Sequence, residues 1–207
     1  MFDQKYTDFI NGFIYIKNRL ASPLIIFYLR FFCKIEIGSA AKFSGRPIFL
    51  PRLGGRISIG KNFTALSNSN ANPVGIYHRV IISALGKNVV VKIGNNVGIS
   101  GVSINSRNSI TIGNNVIIGG GAAIWDTDFH PADYEVRKVF PNQGKSSPIF
   151  IGNDVFIGAR VIILKGVSIG DRSVISAGTV VNKSVPNDSI VFGNPMIIKP
   201  QKSNKND

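Results

Sequence analysis

Aliphatic side chains return at every sixth position through the second half of this sequence: Ile151, Ile157, Ile163, Ile169, Ile175 and Val181. Two earlier runs keep the step, Ile93 with Ile99, then Ile112, Ile118 and Ile124. A helix turning about 100° per residue would scatter such a repeat over three directions and leave no apolar face. A flat strand would hold it on one face, but residues 149–181 would then exceed the usual strand limit of roughly ten residues. The glycines that follow most of these positions (Gly94, Gly113, Gly152, Gly158, Gly170) favour turns instead. So do the pairs Asn95-Asn96, Asn114-Asn115 and Asn153-Asp154. Short strands separated by corners, with each repeated aliphatic aimed at one axis, are the remaining solution. That is a β-solenoid of hexapeptide repeats, three to a triangular turn. Small or β-branched residues four positions after most of the aliphatics, among them Val97, Ser103, Val116, Val155 and Thr179, are expected to share the interior.

Length and composition narrow the classes. A chain of 207 residues is one domain, and stacked repeats make it quasi-one-dimensional. A lone cysteine, Cys33, gives no disulfide framework and no metal-type cluster, which suits a reducing, cytoplasmic setting. No signal peptide is expected, and the apolar stretch Leu20 to Leu29 is too short to span a bilayer. The formal charge of +13 points to an anionic partner: coenzyme A, an acidic polysaccharide or an anionic membrane face. Nucleic acid is disfavoured, because no recognition motif or interleaved aromatic platform accompanies the charge.

Three regions are expected. Residues 1–34 read as an apolar and basic helical segment: Phe9, Phe13, Ile16 and Leu20 have helical spacing, and Ser22-Pro23 breaks it before a second helical piece. That segment either packs on the solenoid end or a neighbouring subunit, or lies at a membrane surface. Residues 35–199 hold the repeats, and 200–207 form a polar tail. The pattern lapses between Thr64 and Val89, with a loop at Asn68 to Pro73. Thirteen residues, not twelve, separate Ile99 from Ile112, so one must bulge at a corner near Ser106 to Ser109. The largest interruption, 126–148, is expected to project as a loop, where function often resides.

Two histidines are available for chemistry, His78 and His130. His130 lies six residues after Ile124, at the mouth of the projecting loop. Imidazole is the usual general base at neutral pH, and Asp126 or Asp128 could accept Nδ1–H and fix its tautomer. A loop histidine held between a turn and a proline is the alternative. Trp125 could stack on a substrate or pack at the loop base.

The stretch IGNNVIIGGGAAIWDTDFHP (112–131) resembles the hexapeptide-repeat acyltransferases, in particular the maltose, galactoside and colanic-acid O-acetyltransferase branch. So does IGNDVFIGARVIILKGVSIGDRSVISAGTVV (151–181) with the closing Gly193-Asn194-Pro195. The resemblance implies a left-handed parallel β-helix, an exception to the usual crossover hand. It implies a homotrimer with active sites in the clefts between subunits, acetyl-CoA as cosubstrate, and His130 as catalytic base. Ala159, Ala177, Gly178, Asn182 and Lys183 match the coenzyme A track, with Arg160, Lys165 or Lys199 as further phosphate contacts. His78, Ser103 and Trp125 are the candidates for acceptor binding. The chain departs from the pattern twice. Ser100-Gly101-Val102-Ser103 stands where relatives carry an asparagine, and Met196-Ile197 where they carry an arginine.

The expected activity is therefore direct acetyl transfer to a sugar hydroxyl, in surface-polysaccharide biosynthesis. A small acceptor such as serine or an antibiotic keeps the chemistry and changes the substrate. A non-catalytic solenoid scaffold is the structural alternative. A zinc hydratase would need about three histidine ligands, and the chain has two, so no metal is expected.

Overall fold

The computed structural model describes residues 22–72 and 74–201, so the proposed helix through Phe9, Phe13, Ile16 and Leu20 lies outside the described residues. Residues 22–31 are helical (α1). Six turns of three short strands follow: β1 (Glu36–Ile37), β2 (Lys42–Ser44), β3 (Ile48–Arg52); β4 (Arg56–Ile59), β5 (Thr64–Leu66), β6 (Ile81–Leu85); β7 (Val90–Ile93), β8 (Gly98–Ser100), β9 (Ser103–Ser106). The upper turns are β10 (Ser109–Ile112), β11 (Ile117–Ile118), β12 (Ala123–Trp125); β13 (Ile149–Ile151), β14 (Phe156–Ile157), β15 (Ile162–Ile163); β16 (Ser168–Ile169), β17 (Val174–Ile175), β18 (Val180–Val181). Each strand pairs in parallel with its counterpart one turn away, so three sheets form the walls of a left-handed parallel β-helix. A hairpin of β19 (Ser189–Phe192) and antiparallel β20 (Ile197–Pro200) ends the coil on the second sheet. Gly193-Asn194-Pro195 is its turn.

The sixfold aliphatics are the axis of the prism. Ile151, Ile157, Ile163, Ile169, Ile175 and Val181 are all fully buried. Close stacking of turns explains the glycines: a Cβ on Gly158 would come within 2.5 Å of the Ala177 backbone nitrogen. At the corner between first and second sheets, Asn62, Asn96, Asn115 and Asp154 share φ near +57°. Their side chains join in a ladder of 2.8–2.9 Å hydrogen bonds along the coil. Asparagine and aspartate tolerate this left-handed backbone and supply both donors and acceptors.

Two readings are corrected by the register. The coil does not lapse from 64 to 89; β6 continues it, with Ile82 and Ala84 buried, and only residues 67–80 leave the wall. Nor is Ser103 interior. Val102 is the buried residue at that corner, and Ser103 lies on the outer side of β9, pairing with Ala123. The interior positions of this turn are Ile93, Ile99, Ile104 and then Ile112. One residue is thus missing at the second corner, where Gly101 takes φ +51°, and two are added at the third. The single extra residue in the sequence is their sum.

The insertions leave different corners. Residues 67–80 depart between the second and third sheets, and 126–148 between the third and the first. The first carries a short 3₁₀ turn, Ser69–Ala71; the second carries a helix not anticipated from sequence, α2 (Tyr134–Val139). Asp133 caps α2 by accepting from the backbone N–H groups of Glu135 and Val136. Among the described residues no helix is long and apolar enough to cross a membrane.

Candidate active site

The loop that carries His130 is pinned from below by Asp126. Its carboxylate is fully buried and accepts from Ser106 Oγ (2.5 Å), Arg107 N (2.7 Å) and Asn108 N (2.9 Å). These are the residues of the over-long third corner, whose backbone donors have no strand to bond. Asp126 is therefore not the partner of His130, as the sequence suggested; its acceptor capacity is taken up by the corner. The chain then runs antiparallel to its own return, with Thr127 bridged to Ser146 and Asp128 N donating to Lys145 O. Phe129 takes φ +60°, and His130 N donates to Asp128 O. Gly144 lies directly against this turn: a Cβ there would stand 2.6 Å from the Phe129 carbonyl carbon and 2.7 Å from His130 N.

The His130 ring is exposed, and its Nδ1 lies 2.5 Å from the Pro141 carbonyl oxygen. A carbonyl can only accept, so Nδ1 carries a proton, and in the neutral imidazole the lone pair belongs to Nε2. The orienting group expected from an aspartate is supplied by backbone. Asp128 is turned elsewhere, its Oδ1 accepting from Lys165 Nζ at 2.6 Å. Arg107 braces the same arrangement. Its Nη1 donates to Asn142 O at 2.5 Å, one residue beyond Pro141, and its guanidinium lies 5.9 Å from the Phe129 ring centre.

Sequence reasoning named Ser103 and Trp125 but missed Ser83 and Asn105, which join them in a polar patch on the outer face of the third sheet, beside this loop. Asn105 Nδ2 donates to Ser103 Oγ (2.7 Å), Ser83 Oγ bonds Asn105 Oδ1 (2.5 Å), and Trp125 Nε1 donates to Ser103 Oγ (3.4 Å). Trp125 packs edge-on against Phe129 with ring centres 6.1 Å apart. The signal was the outward alternation of Ser103 and Asn105 about Ile104, legible only once the register Asn105↔Trp125 is known. The patch includes Ser103, the last residue of the asparagine-lacking Ser100–Ser103 stretch, and Asn105 lies two residues beyond it on β9.

The expected coenzyme A track is divided. Ala159, Ala177 and Gly178 stand at the second corner, while Asn182 and Lys183 stand at the third, on the same edge as Lys165 and the His130 loop. A groove of about 550 Å³ runs over the second sheet to the second corner, lined by Gly98, Gly119, Gly120, Phe156, Ala159 and Ala177 among others. Glycine and alanine keep part of its lining low between the apolar side chains of Ile117 and Phe156, which suits a thin amide-bearing chain. Asn72 of the first insertion overlooks it and donates through Nδ2 to Ser100 Oγ at 3.0 Å. His78 is on this edge too, exposed, with Nδ1 3.0 Å from Arg79 O. Nearby, the Arg160 guanidinium sits 5.0 Å from the Tyr77 ring centre. Lys199 instead covers Phe192 on the closing hairpin. Within one chain the third sheet thus separates His130 from the groove and from His78. Among the described residues no three histidine, cysteine, aspartate or glutamate side chains gather as a metal site.

Known proteins are similar to this chain in sequence and fold. A family model described as "Hexapeptide repeat of succinyl-transferase" matches residues 148–183. Galactoside O-acetyltransferase of Escherichia coli K12 is 44% identical over 87 residues, 42% of this chain and 41% of that protein. The chain thus matches less than half the length of this curated relative. A solved hexapeptide-repeat-containing acetyltransferase of Vibrio cholerae O1 biovar eltor, complexed with acetyl coenzyme A, superposes with TM-score 0.51 at 37% identity. That match covers 57% of this chain and 63% of the other. A galactoside acetyltransferase in complex with coenzyme A shares the fold over 90% of this chain and 82% of its own, with TM-score 0.52 and 24% identity. Over its repeats the chain is therefore similar to the hexapeptide-repeat acyltransferases.

Proposed function

We propose that the protein is an acetyl-CoA-dependent O-acetyltransferase whose acceptor is a sugar hydroxyl, with His130 as general base. The observation that carries the reading is the Nδ1–H bond to the Pro141 carbonyl, which selects the tautomer whose neutral form has its basic nitrogen at Nε2, on an exposed loop. A sugar hydroxyl is a poor nucleophile until a base takes its proton as it attacks. Nε2 removes that proton while the hydroxyl oxygen adds to the thioester carbonyl. The tetrahedral intermediate collapses, the carbon–sulfur bond breaks, and the imidazolium returns its proton to the departing thiolate. No acyl-enzyme is involved, and Cys33 stands at the far end of the coil from the loop.

Coenzyme A fits the groove on the second corner, where Gly119, Gly158, Ala159 and Ala177 keep the wall thin. Because His130 occupies the third corner, the complete site is the seam between two copies: the loop edge of one chain against the groove edge of the next. Three copies close such a heterologous contact into a ring. Exposed Val139 and Phe140 at the end of α2 support this, since a neighbouring copy would cover them. In the same seam Asn182 and Lys183 of one chain join Ala177 and Gly178 of another, and the Ser103–Asn105–Trp125 patch faces the acceptor with His78. The acceptor belongs to a surface polysaccharide or its lipid-linked precursor, and the enzyme works in the cytoplasm at the inner face of the membrane.

The test is His130→Ala with acetyl-CoA and a panel of glycans, serine and aminoglycosides, read by thiol release. Turnover should fall by roughly 10²–10⁴-fold with the fold intact. Undiminished turnover removes the base, and turnover on serine or an antibiotic alone removes the sugar.

A further inference from the structure

The helix α1 is apolar on two sides. Leu29 is buried, and Ile25, Ile26 and Cys33 pack against the core of the first turn, closing the open end of the prism. Ser22 Oγ accepts from Phe43 N on the second sheet, and Arg30 Nη2 donates to Ile37 O on the first, so the helix lies across that end. Its other side carries Leu24, Phe27, Tyr28 and Phe31 at helical spacing, followed by Phe32, each between 53% and 74% exposed. These rings form one patch: Phe27 and Phe31 have centres 4.5 Å apart, and Tyr28 stacks on Phe32 at 5.8 Å. An aromatic patch of this kind, standing in water, marks a contact surface.

Charge says what it contacts. Between residues 22 and 92, which build the helix and the lower turns, there are ten lysines and arginines and one acid, Glu36. From 93 to 201 there are nine basic residues and seven acidic ones. All ten lower basic residues are exposed, and none forms an ion pair with another described residue. Basic charge is therefore concentrated at the end that bears the aromatic patch.

We propose that this end docks on an anionic lipid bilayer, with the Leu24–Phe32 stripe entering the interface and Lys34, Lys42 and Arg46 meeting the headgroups. An interfacial helix binds by this combination of buried apolar area and attraction to anionic lipid. The coil then stands upright on the membrane. The inference goes beyond acetyl transfer and does not depend on it.

The experiment is co-sedimentation of the full chain with vesicles of phosphatidylcholine, alone or mixed with phosphatidylglycerol. Binding to the mixed vesicles is expected, weakened by salt and much lower on phosphatidylcholine alone. Phe27→Ser with Phe31→Ser and Phe32→Ser lowers the partition coefficient on the order of tenfold or more. Lys34→Glu with Arg46→Glu, both at exposed positions, lowers it by roughly thirtyfold or more on the anionic vesicles. Absence of binding, equal binding to both vesicle types, or full binding by either variant overturns the proposal. So does a smaller oligomer for the phenylalanine variant in lipid-free solution, which would make the stripe a contact between copies.

Discussion

Asp126→Ala separates architecture from chemistry at the loop. Removal of the carboxylate strands two backbone donors, Arg107 N–H and Asn108 N–H, beneath the loop mouth; Ser106 Oγ can rotate to another acceptor. A hydrogen bond to a charged acceptor is worth about 1.5–3 kcal/mol, and because Arg107 is half-buried and Asn108 exposed, loss of the pair costs about 2–4 kcal/mol. In a chain of this size each kcal/mol moves Tm by roughly 2–4 °C, and a fall on the order of 10 °C is expected. Asp126→Asn should cost less, because one oxygen remains, yet its amide must face at least one of the three donors. Scanning calorimetry measures the loss. Trp125, the only tryptophan, reports the loop locally by fluorescence. Acetyl transfer falls as well, because the loop is no longer held. The reasoning is refuted if Asp126→Ala keeps its Tm and its tryptophan spectrum while transfer is abolished, for that pattern would make Asp126 a participant in the reaction.

Two further outcomes test the geometry. Gly144→Ala must displace the Phe129–His130 peptide, since the added carbon would stand within 2.7 Å of it. Steady-state kinetics should show kcat down by about tenfold or more with Tm little changed, because a small misplacement of a base is costly; an unchanged kcat would show that His130 need not be held so closely. Ile151→Ala deletes a fully buried side chain from the axis. It should cost about 2–5 kcal/mol by denaturant unfolding, while KM for acetyl-CoA stays constant.

The sequence by itself determined the coil. A step of six with glycine and asparagine at the corners admits almost no other backbone, because the interior column must be apolar at every return. Family resemblance in 112–131 and 151–181 marked His130 and the small residues Ala159 and Ala177. What the sequence could not decide was which residues meet across the prism. Asp126 and Asp128 stand within four residues of His130, yet the carbonyl of Pro141, eleven residues on, is its partner. The thirteen-residue step concealed a deletion at one corner and two additions at another, which turned Ser103 outward and buried Val102 in its place. Corner assignment likewise divided the expected coenzyme A residues between two edges. Contacts between turns join residues about eighteen positions apart, and the loops shift that register by amounts no local pattern carries. A period fixes which side chains are sequestered; only the closed turns decide which of the remainder are neighbours.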